Sequence, residues 1–163
     1  MIKTILIATD FSLDSIDILK KIMKHKTDQQ DDNKYNILFV SGYDMGDSIR
    51  DLLFTTKNSV FGKIRSEEFC DAYNIIKNKY PGIIHKISCD IFTGSFQRTF
   101  NNYIDAKEVD EAYYPSSKTK NLKKGQFDIT TYLKKCKKVK AEEIITKVPE
   151  FLPEKGRLAE VFL

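Results

Sequence analysis

The sequence predicts an α/β fold: a single doubly wound, three-layer domain built on a five-stranded parallel sheet. Three observations carry this. Short apolar runs rich in β-branched residues alternate with amphipathic helical segments, in the order β-α-β-α-β-α-β-α-β. The first two runs, residues 2–9 and 35–41, each hold an unbroken apolar stretch, 5–8 and 37–40, rather than alternating, as in strands covered on both faces. The chain of 163 residues is 41% hydrophobic, enough for one core, and has no internal repeat or low-complexity linker.

The elements follow in order. Residues 2–9 form a strand that ends in Asp-Phe-Ser. Ser12 is the expected N-cap of the first helix, with Asp14 in its first turn and Ile16, Leu19, Ile22 and Met23 at helical spacing to about Lys26. The polar tract 27–34 is a loop, and 35–41 is the second strand. Two such strands joined through a helix make a right-handed βαβ unit. A loop carrying Asp44, Gly46 and Asp47 follows, with a short helical turn at 49–54. One long helix is expected over 59–80, its apolar face traced by Phe61, Ile64, Phe69, Ala72, Tyr73, Ile76 and Tyr80, and stopped by Pro81-Gly82. Residues 83–92 read as the third strand. Residues 95–106 read as a helix with Phe96, Phe100 and Tyr103 inward, and 109–114 as the fourth strand. A lysine-rich loop leads to a helix at 127–138 and a last strand at 141–148. The domain thus spans 1–148, with 149–163 as a tail.

Composition excludes several classes. The longest uncharged stretch is nine residues, 35–43, far short of the ~20 apolar residues of a membrane span. The apolar run 5–8 is too short for a leader. Cys70, Cys89 and Cys136 have no CxxC spacing, so reduced thiols and a cytoplasmic setting are expected. His25 and His85 stand 60 residues apart without a zinc pattern. The net charge of +4 is uneven: residues 118–140 hold nine lysines against Asp128 alone, a local +8, and the remainder sums to −4. Such a segment suits a solvated face or a phosphate contact surface. Only four of the 27 cations are arginine, which argues against base reading.

The run Ile5-Leu6-Ile7-Ala8-Thr9-Asp10-Phe11-Ser12, followed at once by an amphipathic helix, resembles the opening of the universal stress protein family, and Ile37-Leu38-Phe39-Val40 resembles its second strand. The resemblance covers residues 1–148 and implies the strand order 3-2-1-4-5. It also implies a small stress-response or regulatory binding protein, with a homodimer formed through the last strand. ATP or another adenine nucleotide, with Mg²⁺, is the implied cofactor. Ala8, Thr9 and Asp10 would then face base and ribose, and Val40 would contact adenine. The family's glycine-rich phosphate turn, Gly-x2-Gly-x9-Gly-Ser/Thr, is not matched. Its place reads Pro115-Ser116-Ser117-Lys118-Thr119-Lys120, with Gly125 the nearest glycine. Proline has no N–H, and the close approach of backbone to phosphate favours glycine.

The residues leave a choice for each site position. Asp10 is either a ribose or Mg²⁺ ligand at the open end of a central strand, or a turn residue for the next helix. Ala8, Thr9 and Val40 are either pocket walls or ordinary packing. Ser116, Ser117 and Lys118, with Lys120 beside them, could hold a small anionic ligand opposite Asp10. A slow Mg²⁺-dependent nucleotide hydrolase using Asp10 stands as an alternative, with Asp44 and Asp47 as the second carboxylates. A nucleic-acid or phosphate-binding role for 118–140 is another.

Overall fold

In the computed structural model the described residues are 1–46, 53, 56–116 and 122–145. The elements are β1 (Ile2–Ala8), α1 (Asp14–Asp28), β2 (Lys34–Tyr43), α2 (Lys57–Ile64), α3 (Glu67–Ile76) and β3 (Ile84–Phe92). They continue with α4 (Gln97–Ala106), β4 (Glu111–Pro115), β5 (Gln126–Phe127), α5 (Thr130–Lys135) and β6 (Ala141–Ile144). Five strands pair in parallel in the order β3-β2-β1-β4-β6, the expected order with β6 as the fifth parallel strand. A sixth, two-residue strand, β5, adds to β2 in the antiparallel sense.

Continuous apolar runs make β1 and β2 the covered centre of the sheet, with β1 Ile5 to Ala8 all buried. Alternate residues face two cores. Ile5, Ile7, Ile37 and Phe39 pack with Ile16, Leu19, Val60 and Phe69 of α1, α2 and α3. Leu6, Ala8, Leu38 and Val40 pack with Phe100 and Ile104 of α4 and Leu133 of α5. These two faces are the outer layers of the three-layer domain.

Four boundaries differ from expectation, each for a local reason. The long helix expected over 59–80 is two helices, because Ser66 caps a new start: its Oγ accepts from Phe69 N at 3.0 Å, and Glu67 and Glu68 fill the first turn. Ser12 does not cap α1. Leu13 stands at that position without a side-chain bond, and the Ser12 N–H and hydroxyl both donate to Asp10. Phe96 is outward and 73% exposed, since α4 begins only at Gln97. The helix expected over 127–138 is shortened to Thr130–Lys135, because Gln126 and Phe127 are drawn onto β2. The helical turn expected at 49–54, the end of the last strand and the tail 149–163 fall, apart from Leu53, outside the described residues.

Candidate functional site

The carboxyl ends of the parallel strands are where a doubly wound sheet presents its side chains to a ligand, so the turn after β1 comes first. The strand's last ladder bond is Thr9 N to Val40 O, 2.9 Å. Thr9 then turns inward: its Oγ1 accepts from Phe11 N at 2.8 Å and bonds the Ser15 hydroxyl on α1. The Asp10 Oδ1 accepts from Ser12 N at 2.9 Å and from Ser12 Oγ at 2.5 Å, an Asx turn that leads into α1. Phe11 sits at φ 60°, a left-handed conformation that costs an L-residue roughly 1–2 kcal/mol. The offset is burial, worth roughly 1.5–3 kcal/mol for a phenylalanine side chain. The Phe11 ring is fully buried, edge-on to Phe61 at 5.8 Å and Phe69 at 5.4 Å. The Phe11 carbonyl accepts from Ser66 N at 3.1 Å, so the same turn positions the start of α3.

Across the ends of β1 and β2 lies the segment that carries β5. Lys123 O accepts from Gln126 N at 3.0 Å, with Gly125 at φ +87° in the third place of the turn, a type II arrangement that glycine suits. A Cβ on Gly125 would lie 3.0 Å from the Tyr43 ring. The Gln126 amide then enters the sheet end. Its Nε2 donates to Asp10 O at 3.1 Å and Ser41 Oγ at 2.9 Å, and its Oε1 accepts from Lys123 N at 2.8 Å. Next to it the Phe127 ring lies flush on Gly42, where a Cβ would meet Phe127 Cε2 at 2.3 Å. Phe127 also joins Phe92 and Tyr132 at ring distances of 6.4 Å. Two residues thereby tie β1, β2 and the second core together.

A second polar cluster lies on β3. Asp90 is buried, with Lys57 Nζ of α2 at 2.7 Å, the Tyr103 hydroxyl of α4 at 2.6 Å and Lys107 Nζ at 3.3 Å. Burial works to raise its pKa, but the Lys57 and Tyr103 bonds outweigh this and hold it below the ordinary carboxylate value. Tyr103 is pushed well above its ordinary value by burial and by the Asp90 charge. A third cluster joins α1 to β4: buried Lys26 donates to Glu111 at 2.8 Å, as does the Tyr113 hydroxyl at 2.8 Å. Burial opposes the Lys26 charge, yet Glu111 and Tyr35 outweigh it and raise its pKa. On α3 and β3, burial lifts the Tyr73 hydroxyl to about 12 and the Cys89 thiol to about 11, so Cys89 is a protonated, unreactive thiol at neutral pH. All three cysteines are free, and among the described residues no group of three or more His, Cys, Asp or Glu side chains could hold a metal ion. No helix among them is long and apolar enough to cross a membrane.

No protein-family model matches the sequence, and no curated protein matches it either. Solved structures do match. A universal stress protein family member from Burkholderia pseudomallei aligns over 87% of this chain and 95% of its own, with a TM-score of 0.50 at 10% identity. The chain has the fold of the universal stress proteins. The universal stress protein UspA from Lactobacillus plantarum aligns over 89% and 97%, with a TM-score of 0.49 at 13% identity. A universal stress protein in complex with cAMP aligns over 90% and 98%, with a TM-score of 0.44 at 16% identity. The fold assignment rests on the first of these.

Within this universal-stress-protein fold, the residues named from the sequence lie as follows. Ala8 and Val40 are packed in the second core, 2% and 0% exposed, beneath α4 and α5. Thr9 and Asp10 are buried at the β1–α1 turn, engaged as described. Ser116 follows β4, and its N–H donates to Ile144 O at 2.9 Å, toward β6. Ser117, Lys118 and Lys120 lie outside the described residues, as does Asp47; Asp44 accepts from Gly46 N at 2.9 Å. Gln126 and Asp90 were not singled out from the sequence. Gly125 followed by Gln-Phe was the available signal for the first, as a turn glycine next to an aromatic residue.

Proposed function

We propose that this chain is a non-catalytic regulatory binding protein on the universal-stress-protein fold, with its nucleotide cleft filled by its own β5. The observation that supports this reading is the Gln126 bridge between Asp10 O and Ser41 Oγ, with Phe127 seated on Gly42 beside it. An adenine nucleotide held near the first two strands needs that space. It also needs a free carboxylate for ribose or Mg²⁺, and donors for phosphate after the fourth strand. Here one oxygen of the Asp10 carboxylate, Oδ1, accepts from two Ser12 donors, and the side chain is buried in the β1–α1 turn. The end of β4 offers Pro115, which has no N–H, and Ser116, whose N–H is taken by Ile144 O. Among the described residues, these groups do not suit ATP with Mg²⁺ in the implied geometry.

A thermal-shift series with ATP, ADP and cAMP, each with Mg²⁺, tests this. The expected result is an unchanged melting temperature at millimolar ligand. Saturable stabilisation would overturn the reading, since a ligand at a hundred times its Kd adds about 2.7 kcal/mol.

A further inference from the structure

Residues 134–140 read Lys-Lys-Cys-Lys-Lys-Val-Lys, five lysines in seven positions. Packing decides where they stand. Leu133, Cys136 and Val139 recur every three residues, and all are buried in the second core. The residues between these anchors are left outward, and Lys134, Lys135, Lys137, Lys138 and Lys140 are all exposed. Lys138 pairs with Asp105 at 2.5 Å, and Lys134 lies 5.4 Å over the Tyr114 ring. Lys135, Lys137 and Lys140 meet no carboxylate among the described residues. Glu142 and Glu143 on β6 close the run. The result is a dense row of cations on a backbone fixed by three buried side chains.

We infer that the outer face of residues 134–140 docks the phosphodiester backbone of duplex DNA without reading its sequence. Like charges held this close repel one another, and a row of phosphates relieves that repulsion while releasing its own counterions. Lysine supplies point charges and lacks the planar fork with which arginine reads a base edge. Unpaired bases would need a free aromatic platform. The Tyr132 ring is stacked on Phe100 at 5.5 Å with its hydroxyl on Ser95 O, and the Tyr114 ring lies under Lys134. Among the described residues one exposed aromatic ring, Phe96, stands beside Ser95 and offers a platform for at most one base, against five exposed lysines, so a duplex, with its bases already stacked inside, fits this face better than a single strand. The inference stands on the lysine row and is independent of the filled cleft.

The test is fluorescence anisotropy of the full chain with a labelled duplex of arbitrary sequence, in low and in moderate salt. Four or five neutralised phosphates set a log–log slope of about −4, so affinity should fall about 250-fold between about 50 and 200 mM salt. A variant carrying Lys134→Gln, Lys135→Gln, Lys137→Gln and Lys140→Gln should bind at least about tenfold more weakly with a nearly flat slope. Lys20→Gln, Lys21→Gln, Lys24→Gln and Lys79→Gln together remove the same charge from the groove between α1 and the end of α3, and should leave affinity within about twofold. If the first variant lacks a cooperative melt, Lys135→Gln with Lys137→Gln is used instead, and the slope should shrink by about two. No binding in low salt, equal losses in both quadruple variants, tighter binding of the single strand, or equal competition by poly-glutamate would each overturn the inference.

Discussion

Gln126 carries two donors and one acceptor on a buried amide, and its three bonds reach Asp10 O, Ser41 Oγ and Lys123 N. Gln126→Ala leaves the Asp10 carbonyl and the Ser41 hydroxyl facing each other without that bridge. The expected cost is about 1–3 kcal/mol in urea unfolding, the price of desolvated polar groups left unpaired; an unchanged midpoint would mean that the bridge does not form. Asp90 makes a pH-dependent contribution of known sign. Its folded pKa is depressed below 3.8, so its stabilisation is complete above that value and is lost as the pH falls through the folded pKa. Urea midpoints measured from pH 5 down to 2 should therefore fall less steeply for Asp90→Asn than for the wild type. Parallel slopes would contradict the ion cluster. Neither residue was legible in the sequence. Each takes its meaning from partners far along the chain: Asp10 lies 116 residues from Gln126, and Lys57 lies 33 from Asp90.

At the scale of elements, periodicity placed the strands because burial on both faces leaves little choice of residue. Leu38 illustrates this: it lies on β2, 8% exposed, among the side chains of the second core. Leu38→Ala should lower stability by about 2–5 kcal/mol in denaturant titrations, as a core cavity does. A loss under about 0.5 kcal/mol would place Leu38 at the surface instead. The break between α2 and α3 was hidden because apolar residues continue on both sides of it, through Ile64 and then Phe69. What ends one helix and starts the next is Ser66 with Glu67 and Glu68, a start signal inside an apparently continuous pattern. β5 was illegible for another reason. Two residues have no period, and Phe127 reads equally well as the first apolar position of a helix.

At the scale of the molecule, the strand order β3-β2-β1-β4-β6 places the ends of β1 and β2 side by side at the centre of the sheet. That arrangement, and the resemblance of residues 5–12, were both visible from the chain alone. The proposed filling of the cleft was not, because the segment that lies across these strand ends, residues 123–127, arrives more than a hundred positions after β1 begins. The central claim is that this cleft is occupied by the protein itself. A titration with Mg²⁺-ATP followed by ¹H–¹⁵N NMR tests it most directly, through the amides of Thr9, Phe11, Gly42 and Gln126. The account predicts that these four signals stay in place up to millimolar nucleotide. Saturable shifts at Thr9 and Gly42, with loss of the Gln126 signal from its folded position, would contradict it.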